Sequence, residues 1–246
     1  MIPAERQQRI RALIAQTEDI VRMDEMAQQL GISRSTLRRD LQAMVKQGEV
    51  QLLRGGAVRH RTPGIELCLD AKMRMNYDEK SRIAHKAAEL IEDHEVIFLD
   101  PSSVNALLIP LLKGRDVTVV TNSIAHINQL EQHGLSGILI GGEIKSSTSS
   151  CIGPIAEQML RELHFTHCFL GANGMSVQYG LTNHDLRERN IKRIAITNSA
   201  QPVFLIDSTK FDVVAMCQVV KIDDYPIITD RRIEQLAVYD NIITAD

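Results

Sequence analysis

Residues 33 to 44 read SRSTLRRDLQAM, so Ser33, Arg34, Ser35, Thr36, Arg38 and Arg39 crowd into what the pattern predicts is a single helix. A planar guanidinium presents paired N–H donors that match the edge of guanine or two phosphate oxygens, and short hydroxyls reach phosphates or bases. That chemistry suits the major groove of double-stranded DNA. A second set of chemistry-bearing residues recurs after apolar runs farther along: DPSSV (100–104), TNS (121–123), GGE (141–143), GANG (171–174) and DSTK (207–210). Small and hydroxyl-bearing residues let backbone amides approach a ligand, and Lys210 adds positive charge, so a small anionic ligand such as a phosphate ester fits.

The first set needs a compact helical scaffold. Apolar residues at helical spacing predict three short helices: Glu5 to Ala15 with Ile10, Leu13 and Ile14 on one face; Met23 to Leu30 with Met26, Ala27 and Leu30; and one from Ser33 with Leu37, Leu41, Met44 and Val45 inward. In LGIS, Gly31 supplies a left-handed turn and Ser33 a cap for the next helix, the signature of a helix-turn-helix. GEVQLLRGGAVRH then alternates Val50 with Leu52, turns at Gly55 and Gly56, and resumes with Ala57 and Val58, which predicts the β-hairpin wing of a winged helix. Arg54, Arg59 and Arg61 would lie along phosphates. The competing account is that the arginines solvate a surface helix and pair with Asp40 or Glu49.

The second set needs strands. EVIFLD (95–100), VTVVT (117–121), GILIG (137–141), HCFLG (167–171), PVFLI (202–206) and PIIT (226–229) are near-continuous apolar runs separated by helix-like segments. This predicts an α/β fold whose mostly parallel sheet is covered on both faces, with the five tips on one edge. The expected layout is a winged helix-turn-helix over 1–59, a linker over 60–78, where Pro63 and Gly64 interrupt any period, and an effector domain over 79–246.

Charge follows the same division. Residues 1–62 hold 11 Lys/Arg against 7 Asp/Glu, and the remainder 17 against 24. A basic head on an acidic body suits a small domain meeting a polyanion, and speaks against a protein that coats DNA. Cys68, Cys151, Cys168 and Cys217 form no C-x-x-C pair, which predicts reduced thiols in a cytoplasmic protein without a zinc or other metal site. Neither a secretion signal nor a membrane span is expected.

ISRSTLRRDLQAMVKQGEVQLLRGGA resembles the N-terminal signature of the DeoR family of sugar-metabolism regulators, with its T-[IL]-R-R-D-L helix and terminal G-G-A. The resemblance continues from DEKSRIAHKAAELI to IITD. It implies an effector domain similar in fold to ribose-5-phosphate isomerase and the coenzyme A transferases, binding a phosphorylated sugar or polyol and needing no cofactor. By the same resemblance Lys80, Asp100, Ser102, Ser103, Asn122, Gly141, Gly142, Gly171, Asn173, Gly174, Asp207 and Lys210 line the pocket. Two positions depart from the family pattern. Ser102 and Val104 stand where glycine and threonine are usual, removing one hydroxyl from the expected cradle, with Asn105 as a substitute; Asn173 replaces a frequent aspartate.

An isomerase carrying a DNA-binding appendage is the alternative. It requires a carboxylate base and donors for the enediolate, yet Asn173 offers an amide and no glycine-rich lysine loop follows. His184, Asp185 and Glu188 lie close in sequence, and the spacing of His184 to Glu188 is read as a solvated helix face. A ligand-controlled repressor, binding operator DNA as a homodimer or homotetramer held together through 79–246, is the preferred reading.

Overall fold

The computed structural model describes residues 6–7, 9–10, 13, 21–46, 50–53, 57–60, 69–73 and 75–245, with backbone alone at 45–46, 51–53, 57–60 and 70–71. Arg54, Arg61, Glu49, Gly55, Gly56 and Cys68 lie outside the described residues, as does the side chain of Arg59. Two compact units emerge, Met1–Ile65 and Glu66–Asp246.

In the first unit, Arg6, Gln7, Arg9, Ile10 and Leu13 are helical. They are followed by β1 (Val21–Arg22), α1 (Met23–Leu30), α2 (Arg34–Lys46), β2 (Val50–Leu53) and β3 (Ala57–His60). The core joins Ile10, Val21, Met23, Met26, Ala27, Leu37, Leu41, Met44 and Val50. Gly31 ends α1 at φ 63° and ψ 34°, and the amides of Gly31 and Ile32 close onto Gln28 O and Ala27 O. A side chain there would be strained, because this left-handed conformation suits glycine. β2 and β3 pair antiparallel, and β1 adds to β3 to give the order β1-β3-β2. A two-residue strand has no periodicity to read, and β1 was not expected. Asp40 is buried, but its carboxylate is taken by Arg6, with Nη2 to Oδ1 at 3.0 Å and a second bond from Nε to Oδ2. That pair ties the first helix to α2 and does not occupy the arginines of α2.

The second unit runs α3 (Leu69–Met73), α4 (Tyr77–Ala88), β4 (Val96–Leu99), α5 (Ser103–Leu108), β5 (Thr118–Thr121), α6 (Ile124–His133), β6 (Ser136–Leu139), β7 (Glu143–Lys145), β8 (Ser150–Ile152), α7 (Pro154–Arg161), β9 (Phe165–Leu170), β10 (Gly174–Ser176), β11 (Gly180–Asn183), α8 (Leu186–Thr197), β12 (Ser199–Leu205), β13 (Cys217–Val220), β14 (Ile227–Thr229) and β15 (Ile242–Thr244). Seven strands form one sheet in the order β15-β14-β12-β9-β4-β5-β6, and every neighbouring pair is parallel. Residues alternate between faces as the pleat requires. Phe98, Val120, Cys168, Leu170 and Phe204 join α7 and α8 on one side, while Ile97, Leu99, Val119, Phe169 and Leu205 join α4, α5 and α6 on the other.

The larger unit departs from expectation in four places, the first being that its central sheet has a seventh strand, β15, beyond the six expected runs. The division between units falls within the expected 60–78 linker. Its second half belongs with the larger unit, where α3 forms and Asn76 Nδ2 bonds Asp207 Oδ1 at 3.3 Å and Thr209 Oγ1 at 3.1 Å. The predicted run 137–141 is the exposed edge strand β6, open where the expectation was burial on both faces. Finally, a hairpin of β7 and β8 and a three-stranded sheet of β10, β11 and β13 were missed, because these strands are short and carry polar or small residues.

Candidate functional site

In the first unit, burial of Leu37, Leu41 and Met44 turns the other face of α2 outward. Ser33 Oγ accepts from Thr36 N at 3.2 Å, capping the helix, and lies 2.9 Å from Ser35 Oγ and 2.8 Å from Thr36 Oγ1. Arg38 and Arg39 are exposed and form no ion pair among the described residues. Arg34 Nε meets Asp24 Oδ1 at 2.8 Å, with both side chains about two-thirds exposed. An exposed pair of this kind contributes little, so a phosphate can displace it.

In the second unit, strand order reverses between β4 and β9: successive strands run outward from β4 through β5 to β6, and then outward from β9 through β12 and β14 to β15. Ligands of open parallel sheets bind at the carboxyl ends of strands beside such a reversal. Asp100 sits there, fully enclosed. Its carboxylate accepts from Gly171 N at 2.8 Å, Ser102 N at 3.1 Å and Asn105 Nδ2 at 2.9 Å, and pairs with Lys192 Nζ. Burial opposes its ionised form, but Lys192 and the surrounding N–H donors prevail and hold the carboxyl below its ordinary value. Asp100 was expected to touch the effector; its oxygens are committed to protein donors, and it acts as the pin of the crevice. Gly171 makes that possible, since a Cβ there would stand 2.7 Å from Ser102 Cβ.

The other expected residues fall into groups. Around β12, Asp207 is buried and accepts from Thr209 Oγ1 and Asn76 Nδ2. Ser208 is held by Asp230, with N to Oδ1 at 2.6 Å and Oγ to Oδ2 at 3.0 Å, which sets the start of the DSTK turn carrying Lys210. Lys80 Nζ donates to Lys72 O and to Met75 O, the latter at 2.7 Å. Burial, which Asp207 partly offsets, pushes Lys80 down to about 8. Ser103 is buried at the start of α5, where Ser102 Oγ accepts from Asn105 N at 3.3 Å. Asn173 Oδ1 accepts from His184 N at 3.1 Å. Gly142 and Gly174 use their missing side chains for packing, since a Cβ would meet Ile152 O at 2.7 Å and Val213 O at 2.1 Å respectively; at Gly141 the nearest atom is Met159 Sδ at 3.8 Å.

Two readings of residue role are corrected. Val104 does not leave a gap in a cradle: it packs in the core against α4 and β4. Asn105, the expected substitute, donates to Asp100 and to Phe169 O at 2.8 Å, and its Oδ1 is buried without a partner. His184 to Glu188 is not a solvated helix face either, because α8 begins at Leu186 and Asp185 caps it, with Oδ1 accepting from Arg187 N at 2.8 Å. Glu188 is buried, accepting from Thr148 Oγ1 at 2.9 Å and Asn183 Nδ2 at 3.1 Å beside Lys145 Nζ at 3.0 Å.

Beyond β5, Asn122 Nδ2 donates to Cys151 O at 2.9 Å, leaving Asn122 Oδ1, Ser123 Oγ and Asn183 Oδ1 buried without a partner. His126, pushed down to about 4 by burial, is neutral beneath Thr121. Lys192, Lys145, Thr148, Asn183 and Asp230 were all missed, and Glu188 was read only as part of a solvated face. Glu188 and Lys192 are four residues apart, which in a sequence reads as a surface ion pair; the fold gives each a separate buried partner. Cys151, Cys168 and Cys217 are free and buried, with the Cys168 thiol pushed up to about 12 by desolvation.

An exposed arginine helix in a small helical unit, joined to a parallel-sheet unit with an organised carboxyl edge, defines a DNA-binding protein with a sensing module. Comparison with known proteins agrees. Residues 6–62 match the DeoR-like helix-turn-helix domain and residues 75–231 the DeoR C-terminal sensor domain. The chain belongs to the DeoR family of transcriptional regulators. It is 32% identical to the uncharacterized HTH-type transcriptional regulator FruR of Bacillus subtilis over 93% of this chain and 91% of that one. It is 29% identical to the HTH-type regulator GolR of Listeria innocua (96% and 93%) and 32% identical to IolR of B. subtilis (78% and 76%). A ribose 5-phosphate isomerase from Methanocaldococcus jannaschii aligns over 55% of each chain at 21% identity and a TM-score of 0.42, too distant to bear on activity. The protein is a regulator and not an isomerase. Among the described residues no helix is long and apolar enough to cross a membrane.

Proposed function

We propose that this regulator represses a carbohydrate-utilisation operon in the cytoplasm and releases its operator when a phosphorylated sugar or polyol binds along the carboxyl edge of the sensor sheet. The observation that carries the reading is the arrangement at that edge, where Lys80 and Lys210 gather around Asp207 at the β12 tip, and buried polar atoms without partners lie beyond β5. Ser33, Arg34, Ser35, Thr36, Arg38 and Arg39 meet the major groove, with Arg54 and Arg59 of the wing on phosphates. One winged helix makes few contacts, so a homodimer or homotetramer joined through the sensor units presents two recognition helices to related half-sites. The effector shifts operator occupancy to the extent that it binds one arrangement of sensor units more tightly than the other.

The test is a thermal-shift screen of the full chain against sugar and polyol phosphates beside their unphosphorylated parents, followed by operator gel shifts with each hit. Stabilisation by a phosphorylated compound alone, together with loss of operator binding, is the expected result. No stabilisation across the panel overturns the effector assignment, and tighter operator binding reverses the sign.

A further inference from the structure

The space beyond the β5 tip gathers several buried polar atoms without partners, where among the described residues the β4 and β14 tips carry Asn105 Oδ1 and Thr229 Oγ1 alone. Asn122 and Asn183 are each nearly inaccessible, and the orientation of each amide is decided by its surroundings. Asn122 Nδ2 faces the carbonyl of Cys151 and Asn183 Nδ2 faces the Glu188 carboxylate, two groups that only accept. The leftover atom on each amide is therefore the oxygen, and both oxygens are buried without a donor. Ser123 Oγ is in the same state.

Between them runs one network. Ser123 bridges to Ser150, Ser150 Oγ meets Thr148 Oγ1 at 2.8 Å, Thr148 donates to Glu188, and Lys145 stands 3.0 Å from Glu188 and 3.5 Å from Asp185. The network consumes the amide donors and leaves two amide oxygens that can only accept, beside one serine hydroxyl that can do either. A buried polar atom without a partner is costly, so the partner missing here is a group that brings hydrogen-bond donors. Asp185 and Glu188 are answered by Lys145 and Arg187, which leaves no surplus positive charge for a phosphate and makes the space suited to hydroxyls.

Resting on the effector reading above, we infer that this is a polyol-recognising subsite. Hydroxyls of the effector donate to Asn122 Oδ1 and Asn183 Oδ1, Ser123 completes the contact, and Glu188 is a positioning residue that fixes the Asn183 amide. The phosphate lies elsewhere along the edge, toward Lys80 and Lys210. Stereochemical choice among phosphorylated sugars is made by the asparagines, and general affinity for a phosphate ester by the lysines.

The experiment uses the full chain and a panel of aldose and alditol phosphates, each with its single-deoxy analogues, read by thermal shift and then by calorimetric titration. For the compound that stabilises the wild-type protein, loss of one particular hydroxyl should weaken binding by about tenfold, the order expected when a buried acceptor loses its donor. In Asn183→Ala the parent and that deoxy compound should bind within about twofold of each other. Weak protection by inorganic phosphate should be unchanged. If every deoxy analogue binds the wild-type protein as well as its parent, the subsite is refuted, with no variant required to fold. Undiminished discrimination by Asn183→Ala has the same meaning. Both outcomes leave phosphate-ester sensing standing, whereas failure of every phosphorylated compound to bind the wild-type protein removes the effector reading and the subsite with it.

Discussion

Arg38 and Arg39 are neighbours in the chain and keep their charge in water, while Asp100 and Lys192 come from distant parts of the chain and hold their charges almost wholly out of water. The exposed arginines add little to folding, and their interaction energy stays available for a polyanion. The buried pair is costly to desolvate and is sustained by Gly171, Ser102 and Asn105, which supply the remaining hydrogen bonds. One unit therefore holds its functional charges loosely and in register with the sequence; the other builds its charge into the joint between β4, β9 and α8. Damage to the first should alter binding alone, and damage to the second should alter the fold around the effector.

The largest effect is expected from Lys192→Met, which strands a carboxylate in the sheet edge and should lower stability by about 3–5 kcal/mol in urea denaturation. Adding Asp100→Asn to it should recover most of that loss; if it does not, the pair is not what holds the crevice. The same pair sets an acid limit. The Asp100 carboxyl titrates below its ordinary value of 3.8 in the folded state, so its contribution is complete above that value and is lost as pH falls below it, and wild-type stability should drop there more steeply than that of the double variant.

Gly171→Ala should cost about 1–3 kcal/mol through its clash with Ser102 Cβ. Ser102→Gly in the same chain should relieve it, and a double variant no more stable than the single would show that the approach of these two loops is not the constraint. In the first unit the balance reverses. Arg38→Ala or Arg39→Ala should weaken operator binding by about 1–3 kcal/mol and flatten its salt dependence. Thermal stability should stay within about 0.5 kcal/mol of wild type. Intact operator affinity in both variants would misplace the recognition face. Ser33→Ala, which removes the cap of α2, should cost about 1 kcal/mol of stability.

The smallest effect is a pH profile. Lys80 titrates near 8, so affinity for a phosphate ester should decline above that pH in the wild-type protein and hold to higher pH in Lys80→Arg. Identical profiles would remove Lys80 from the charge that the ligand meets.

Much of the first unit could be read from residue order, because its determinants are local: the apolar spacing of α2, Gly31 at a left-handed turn and Ser33 at a cap act over a few residues. Six of the seven strands of the parallel sheet were legible as apolar runs, while the short β15 and the exposure of β6 were not. Legibility ended where partners are distant or where polar residues go inside. Glu188 reads as part of a solvated face from its spacing to His184, and Asp100 looks available to a ligand until Lys192 and the Gly171 amide are seen against it.

The amino-acid order by itself determined the two-part organisation, the outward arginine face and the succession of apolar strands, because helix period, strand pleat and capping are short-range. Only the tertiary structure decided which tips adjoin the reversal between β4 and β9, which lysine neutralises Asp100, and which amide oxygens beyond β5 are left wanting a donor. Those outcomes depend on strand order and on burial, and both are set by packing among residues tens of positions apart.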